Sequence, residues 1–175
     1  MDIVEILSKG SDRTAYVKVT NYVGDCPEKF QLLMELFWQD NLAITQRVSN
    51  PIAMSIEKHP TLLDNHYPDI IHGLKEGKFD VIRRSCVRYL QFAEIPDDYV
   101  GEITSICFSL LSNNKEPIAI KVFSMTVLFN ISKVYTELQT ELVFLIQEQL
   151  PYGSTGFKNR ANKILKQLMR SSYNI

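Results

Sequence analysis

The 175-residue sequence predicts an all-α protein, and two patterns carry that prediction. Apolar residues recur with the helical period along most of the chain, whereas no segment shows a sustained alternation of apolar and polar residues between hairpin turns. Basic residues also recur at a nearly constant distance, early in every second predicted helix. They are separated by 37, 37 and 39 residues, at Arg47, Arg84, Lys121 and Arg160.

Residues that start and stop helices place the individual elements. Pro27 opens one helix, Asp40 or Asn41 caps the next, and Pro60 ends it. Pro51 lies inside that second helical pattern and is expected to kink or divide it. One or two short helices precede these within residues 2–23, and further helices are predicted at about 62–76, 80–93, 97–112, 117–134, 137–150 and 155–169.

The predicted helices group into pairs. A period near 40 residues with two helices per unit is typical of an α-solenoid, in which each pair packs only on its neighbours. We therefore predict a single domain over residues 1–175, a right-handed α-α superhelix of about four helix pairs behind an N-terminal helical cap. The cap is predicted at 1–24 and the pairs at 25–59, 60–94, 95–135 and 136–170.

A short polar turn leads into the second helix of each pair, and that helix opens with an apolar residue and a base. The closest instance is Asp80-Val81-Ile82-Arg83-Arg84-Ser85, residues 116–121 follow the pattern acceptably, and 40–47 and 155–160 follow it loosely. The pattern resembles the HEAT-like (armadillo-type) repeats. The resemblance covers about residues 25–170 and implies a curved stack whose second helices line the concave face.

Charge and cysteine usage limit the classes of function. The chain has 19 Lys and Arg against 20 Asp and Glu, a net charge of −1, whereas dedicated nucleic-acid-binding domains usually carry a basic excess. The cysteines form no CxxC motif and indicate buried free thiols in a reducing compartment; they are Cys26, Cys86 and Cys107. No signal peptide and no membrane-spanning run is apparent. We expect a cytoplasmic protein without a membrane segment or cofactor, either a monomer or a weak homodimer.

A basic strip along the second helices is the main candidate for a functional site. Its bases and their polar neighbours are predicted to contact a partner; they are Arg47, Asn50, Arg84, Arg88, Gln91, Lys121 and Arg160. Such a strip suits acidic peptide segments or phosphates. Alternatively, the bases pair with acids of neighbouring repeats, for which Asp69, Glu102 and Glu141 are available. The predicted function is a non-catalytic binding or scaffold module that engages a protein partner.

Nucleic-acid binding is the first alternative. Some HEAT-like proteins are DNA glycosylases that hold a duplex in a basic concave face. The last 22 residues, 154–175, carry five bases and no acid, and such bases could contact phosphates.

The loop at residues 151–160 gives two further possibilities. It precedes a helix whose N-terminal amides favour anions, so a possible anion site is formed by Gly153, Ser154, Thr155 and Lys158. A purely structural role, with Ser154 or Thr155 as the helix N-cap, explains the same residues. The segment also loosely resembles the flexible signature loop of the adenylosuccinate lyase and fumarase superfamily, which implies a lyase as a weak alternative.

The sequence does not indicate a metal site or a catalytic base built from histidines. His59, His66 and His72 have no Cys or Asp neighbours at the spacing of metal ligands. We therefore predict neither a metal site nor catalytic residues.

Overall fold

The computed structural model describes residues 2–9 and 12–172, and these residues form ten α-helices and no strand. The prediction of an all-α chain is confirmed. Two short 3₁₀ turns lie at Pro60–Leu63 and Leu150–Tyr152. The helices are α1 Ile3–Lys9, α2 Arg13–Val23, α3 Pro27–Trp38, α4 Leu42–Lys58, α5 Tyr67–Glu76, α6 Asp80–Tyr89, α7 Asp97–Ser112, α8 Ile118–Ile131, α9 Leu138–Gln149 and α10 Thr155–Ser172.

Local chemistry explains where several helices begin. The Asp12 side chain accepts a hydrogen bond from the Ala15 amide and caps α2. Asn41 caps α4 in the same way, as one of the two predicted caps. Pro27 occupies the first turn of α3, where its missing N–H group costs nothing.

Three helices differ in detail from the prediction. The helix expected at 62–76 begins at Tyr67, because Pro60–Leu63 form a separate 3₁₀ turn and Pro68 suits the first turn of a new helix. The helix expected to reach residue 93 ends at Tyr89, after which the Gln91 and Phe92 amides bond to carbonyls three residues back. Helix α4 runs unbroken through Pro51, so the predicted division does not occur.

The chain forms two compact units, Met1–Glu94 and Ile95–Ile175. In the first unit, α4 packs against both α2 and α6, while α3 packs on α4 and α5 packs on α6. In the second unit, α8 packs against both α7 and α10. The predicted pairs 25–59 and 60–94 fall in the first unit, and 95–135 and 136–170 fall in the second.

Each unit has its own apolar core. Large side chains that are fully buried hold the first unit together, namely Phe30, Phe37, Leu63, Tyr67 and Tyr89. Smaller side chains fill the core of the second unit, including Cys107, Met125, Leu128, Leu142 and Ile146. Within the described part of the chain, no helix is both long and apolar enough to span a membrane.

Hydrogen bonds between residues 38 positions apart align equivalent helices. Just before α4 and α6, Lys78 Nζ lies 2.6 Å from the Asp40 carboxylate. Farther along the same two helices, Arg88 Nη1 donates to Asn50 Oδ1 at 2.8 Å. Because both hydrogen bonds join residues 38 positions apart, one near the start of the two helices and one farther along, α4 and α6 run parallel and in register. The predicted period is thus present as direct contacts between neighbouring repeats.

Candidate functional site

The first candidate site lies on α4 and α6 of the first unit. Arg88 is half-buried, and its guanidinium is held at 2.8 Å by Asn50, the residue at the equivalent level of α4. Gln91 was predicted to continue the helical face of Arg84 and Arg88, but α6 ends at Tyr89. The Gln91 amide instead donates to the Arg88 carbonyl at 3.1 Å, where it closes the end of the helix.

Two more arginines lie one helical turn closer to the N-termini of these helices. Arg84 is exposed on α6, and Arg47 is half-buried on α4. Since α4 and α6 are parallel with an offset of 38 residues, Arg47 and Arg84 lie at nearly the same level. We call Arg47, Arg84 and Arg88 the arginine row.

The arginine row has no carboxylate partner within the described chain. The side chains of Arg47 and Arg84 make no hydrogen bond or ion pair there, and the guanidinium of Arg88 bonds only to the neutral Asn50. An exposed ion pair, Lys78 with Asp40, joins the two repeats instead. The sequence left open whether these bases form ion pairs between repeats. Among the described residues of the first unit they form none, although Arg88 donates a hydrogen bond to Asn50 of the preceding repeat.

The second candidate site is a cavity of about 390 Å³ in the second unit. It lies where the end of α7, the start of α8, the end of α9 and the start of α10 meet. Its lining combines one lysine, two glutamates, several neutral polar groups and three apolar side chains: Ser112, Asn114, Glu116, Ile118, Lys121, Glu148, Gln149, Tyr152, Gly153, Ser154 and Phe157. We call it the Lys121 cavity.

Lys121 is the most constrained charged group of the cavity. Its side chain is only 8% exposed, and its Nζ donates to Gln149 Oε1 at 2.6 Å, with a longer contact of 3.5 Å to Asn114 Oδ1. Burial lowers the pKa of Lys121, and the negative charge of Glu116 opposes that shift only in part. Gln149 is itself fixed, since its amide donates to the Leu111 carbonyl at 2.8 Å. The lysine predicted to extend the basic strip is therefore held inside the second unit.

The predicted anion loop forms another wall of the cavity. Ser154 Oγ accepts a hydrogen bond from the Phe157 amide at 3.3 Å, which confirms the serine as the N-cap of α10. A Cβ atom on Gly153 would lie 2.5 Å from Phe157 Cδ1, so only glycine suits this close approach. Thr155 and Lys158, predicted with them, do not line the cavity. This cap accounts locally for the segment that resembles the lyase loop.

The structure thus joins two groups that the sequence kept apart. Lys121 came from the basic strip, and Gly153 and Ser154 came from the loop, yet all three line one cavity. Sequence reasoning missed Asn114, Glu148 and Gln149 as cavity residues. Each is a surface-type residue at a helix end, and no spacing in the sequence distinguishes it from other polar residues.

Arg160 lies on α10 in the second unit. It is half-buried, lies outside the cavity lining and makes no hydrogen bond or ion pair within the described chain.

Histidines and cysteines contribute no metal centre within residues 2–9 and 12–172, where no group of three or more His, Cys, Asp or Glu is placed to hold an ion. His66 is buried with its ring edge against Phe30, and burial lowers its pKa. Burial raises the pKa values of the Cys86 and Cys107 thiols, which disfavours the reactive thiolate form.

Paired helices with a 38-residue offset define a helical-repeat protein. A model of the HEAT repeat domain family matches residues 3–168, and the chain belongs to that family. No curated protein and no solved structure matches the chain. The family resemblance drawn from the repeat pattern is therefore confirmed, and it extends through α1 and α2, which were predicted as a cap.

Proposed function

We propose that this protein is a non-catalytic binding module that holds an acidic segment of a protein partner on the arginine row. HEAT repeat domains are helical scaffolds that often serve protein interaction. The observation that carries the proposal is the absence of any carboxylate partner for the row within the described chain.

The chemistry of the row favours carboxylates. A guanidinium group pairs with a carboxylate through two parallel hydrogen bonds. The like charges of Arg84 and Arg88, which are four residues apart on α6, repel each other until an anion is bound. Asn50 already fixes Arg88, so that side chain loses less conformational entropy on binding than a free arginine would.

The spacing of the row suggests the form of the bound segment. Arg84 and Arg88 are four residues apart on α6, which places them about 6 Å apart along the helix axis. Alternate residues of an extended peptide point to the same side and are about 6.6 Å apart. We therefore propose an extended segment with acidic residues at every second position.

A labelled peptide that alternates Glu and Ser tests the proposal, with a Gln and Ser peptide as the neutral comparison. The row variant is Arg84→Glu/Arg88→Glu. The matched control is Lys163→Glu/Lys166→Glu, which makes the same charge change at exposed positions of α10. We expect the wild type and the control to bind the acidic peptide, more weakly as salt rises.

The row variant is expected to lose at least about tenfold in affinity while its circular dichroism stays unchanged. Equal affinity of the row variant and the wild type for the acidic peptide would contradict the proposal. So would equal binding of the acidic and neutral peptides to the wild type.

Nucleic-acid binding is a second candidate, favoured by α10 alone. The bases of this helix make no side-chain ion pair within the described chain; they are Lys158, Arg160, Lys163, Lys166 and Arg170. On this alternative, the α10 variant loses binding to a DNA duplex and the row variant does not. Affinity capture from a cell extract with and without nuclease separates the two candidates as well.

We also propose a cytoplasmic, reducing environment. Cys26, Cys86 and Cys107 are all free thiols, and two of them are buried. Free buried thiols are typical of proteins that do not pass through an oxidising compartment. Location of the tagged protein in intact cells tests this point.

A further inference from the structure

We propose that the Lys121 cavity binds a small zwitterionic ligand, one that carries a carboxylate and an ammonium group in the arrangement of an α-amino acid. The cavity lies wholly in the second unit and shares no residue with the arginine row. Its volume of about 390 Å³ is in the range of small-molecule sites.

Lys121 supplies the binding group for the carboxylate. Its ammonium has three N–H groups, of which Gln149 takes one at 2.6 Å and Asn114 lies at the limit of bonding at 3.5 Å. Both acceptors are neutral, although the side chain is more than nine-tenths buried. The charge of Glu116 acts on Lys121 without a close ion pair between them, so an anionic group directly against Nζ would stabilise this lysine.

The start of α10, which also lines the cavity, favours the same charge. This helix has 18 residues, and the first-turn amides of Thr155 and Gly156 have no carbonyl of a preceding turn to bond. The positive end of the helix dipole therefore lies beside Ser154 and Gly153, which line the cavity. Lys121 and the helix end together favour a carboxylate.

Two carboxylates in the lining exclude a simple anion as the best ligand. Glu148 is exposed at the end of α9, and Glu116 lies half-buried before α8. With Lys121 they give the lining a net charge of −1, which opposes a purely anionic ligand. Lys121 and the positive end of the helix oppose a purely cationic ligand. A zwitterion can place its carboxylate near these positive groups and its ammonium near the two glutamates.

Apolar groups beside these charges suit a side chain of moderate size. Phe157 is buried at the base of the cavity, while Ile118 and Tyr152 are 51% and 91% exposed in its lining. Two exposed apolar side chains next to fixed polar groups offer a surface for an aliphatic or aromatic side chain of the ligand.

The test is a titration of the ¹⁵N-labelled protein with each of the common amino acids at millimolar concentration, followed by amide resonances. We expect at least one amino acid to shift the resonances of Gly153, Gly156 and Gln149 in a saturable way. For that amino acid, the C-terminal amide and the analogue without the amino group are then compared. Each is expected to bind at least about tenfold more weakly, because each lacks one charge.

Three variants locate the site. Lys121→Met keeps the length of the side chain without its charge, and Glu148→Gln changes an exposed residue that the fold does not need. Both are expected to weaken binding, whereas Lys163→Met, on an exposed position of α10 outside the cavity, should not change it.

Four results would overturn the proposal. These are no saturable shift with any amino acid, equal binding of the analogue without the amino group, equal binding of the C-terminal amide, or unchanged binding by both cavity variants. The spectrum of each variant shows directly whether it is folded. If Lys121→Met does not fold, Glu148→Gln and the two analogues still decide the outcome.

Discussion

Alanine at two helical glycines should change the stability of this protein in opposite directions. Gly73 lies in α5, where a Cβ atom would be 2.7 Å from Cys86 Sγ and 2.7 Å from Trp38 Cη2. Gly101 lies in α7, where a Cβ atom would meet nothing within 4 Å. The two substitutions are chemically identical, so the difference between them isolates the cost of packing.

The magnitudes follow from two opposing terms. Alanine is favoured over glycine inside a helix by about 1 kcal/mol, so Gly101→Ala should raise the free energy of unfolding by about that amount. Gly73→Ala gains the same helical term but forces an extra methyl group into a filled space, which costs about 1–3 kcal/mol. The net result at Gly73 is a loss of up to about 2 kcal/mol.

Urea unfolding measures both variants. Circular dichroism reports the helices as a whole, and the fluorescence of Trp38, the single tryptophan, reports the packing beside Gly73. Cys86→Ala in the Gly73→Ala background should recover part of the loss, because it removes one of the two clashing atoms. If Gly73→Ala stabilises the protein as much as Gly101→Ala does, the described packing of α5 against α3 and α6 is wrong.

Three further predictions concern titration, capping and the arginine row. Since burial lowers the pKa of His66 below 6.5, the unfolded chain takes up a proton first as pH falls, and the free energy of unfolding should decrease as pH falls through 6.5. His66→Gln should flatten that dependence in urea titrations at several pH values, and the same slope in this variant as in the wild type would contradict the prediction. Ser154→Ala removes the N-cap of α10 and should lower the free energy of unfolding by about 1 kcal/mol, whereas Ser154→Asp, which keeps a capping oxygen, should not. Asn50→Ala frees the Arg88 guanidinium and should weaken binding of the acidic peptide by fluorescence anisotropy, without moving the thermal midpoint by more than about 4 °C. Unchanged peptide affinity would show that the orientation of Arg88 is irrelevant.

The helical fold could be predicted because its determinants are local and repeated. Pro27, Asn41 and Ser154 each begin a helix through chemistry within a few residues of the sequence. The basic residues recur every 37 to 39 residues, close to the offset of 38 residues that the bonds from Lys78 to Asp40 and from Arg88 to Asn50 show. Regular spacing therefore carried information about which helices are neighbours.

The environment of Lys121 could not be predicted in the same way. The spacing of 37 residues in the sequence aligned Lys121 with Arg47 and Arg84, yet Lys121 is the fourth residue of its helix, whereas Arg84 is the fifth and Arg47 the sixth of theirs. At that position Lys121 is buried and bonded to Gln149. Its burial depends on the path of α9, which places Gln149 over it, and no periodic signal in the sequence specifies that contact. A spacing one residue shorter than the structural offset thus moves a side chain onto another face of its helix.

The apolar pattern of the sequence also did not predict where each helix ends. Gln91 continues the spacing of Arg84 and Arg88, but the backbone turns after Tyr89 and places Gln91 at the helix terminus. Apolar periodicity continues past this point in the sequence, so the periodic signal alone could not show where the helix stops.

A charge-swap measurement tests the central claim most directly. The affinities of the wild type and of Arg84→Glu/Arg88→Glu are measured for two peptides, one that alternates Glu with Ser and one that alternates Lys with Ser. If the arginine row contacts the partner segment, the wild type binds the Glu peptide and the variant binds the Lys peptide instead. If the folded variant still binds the Glu peptide as the wild type does, the row is not the binding site.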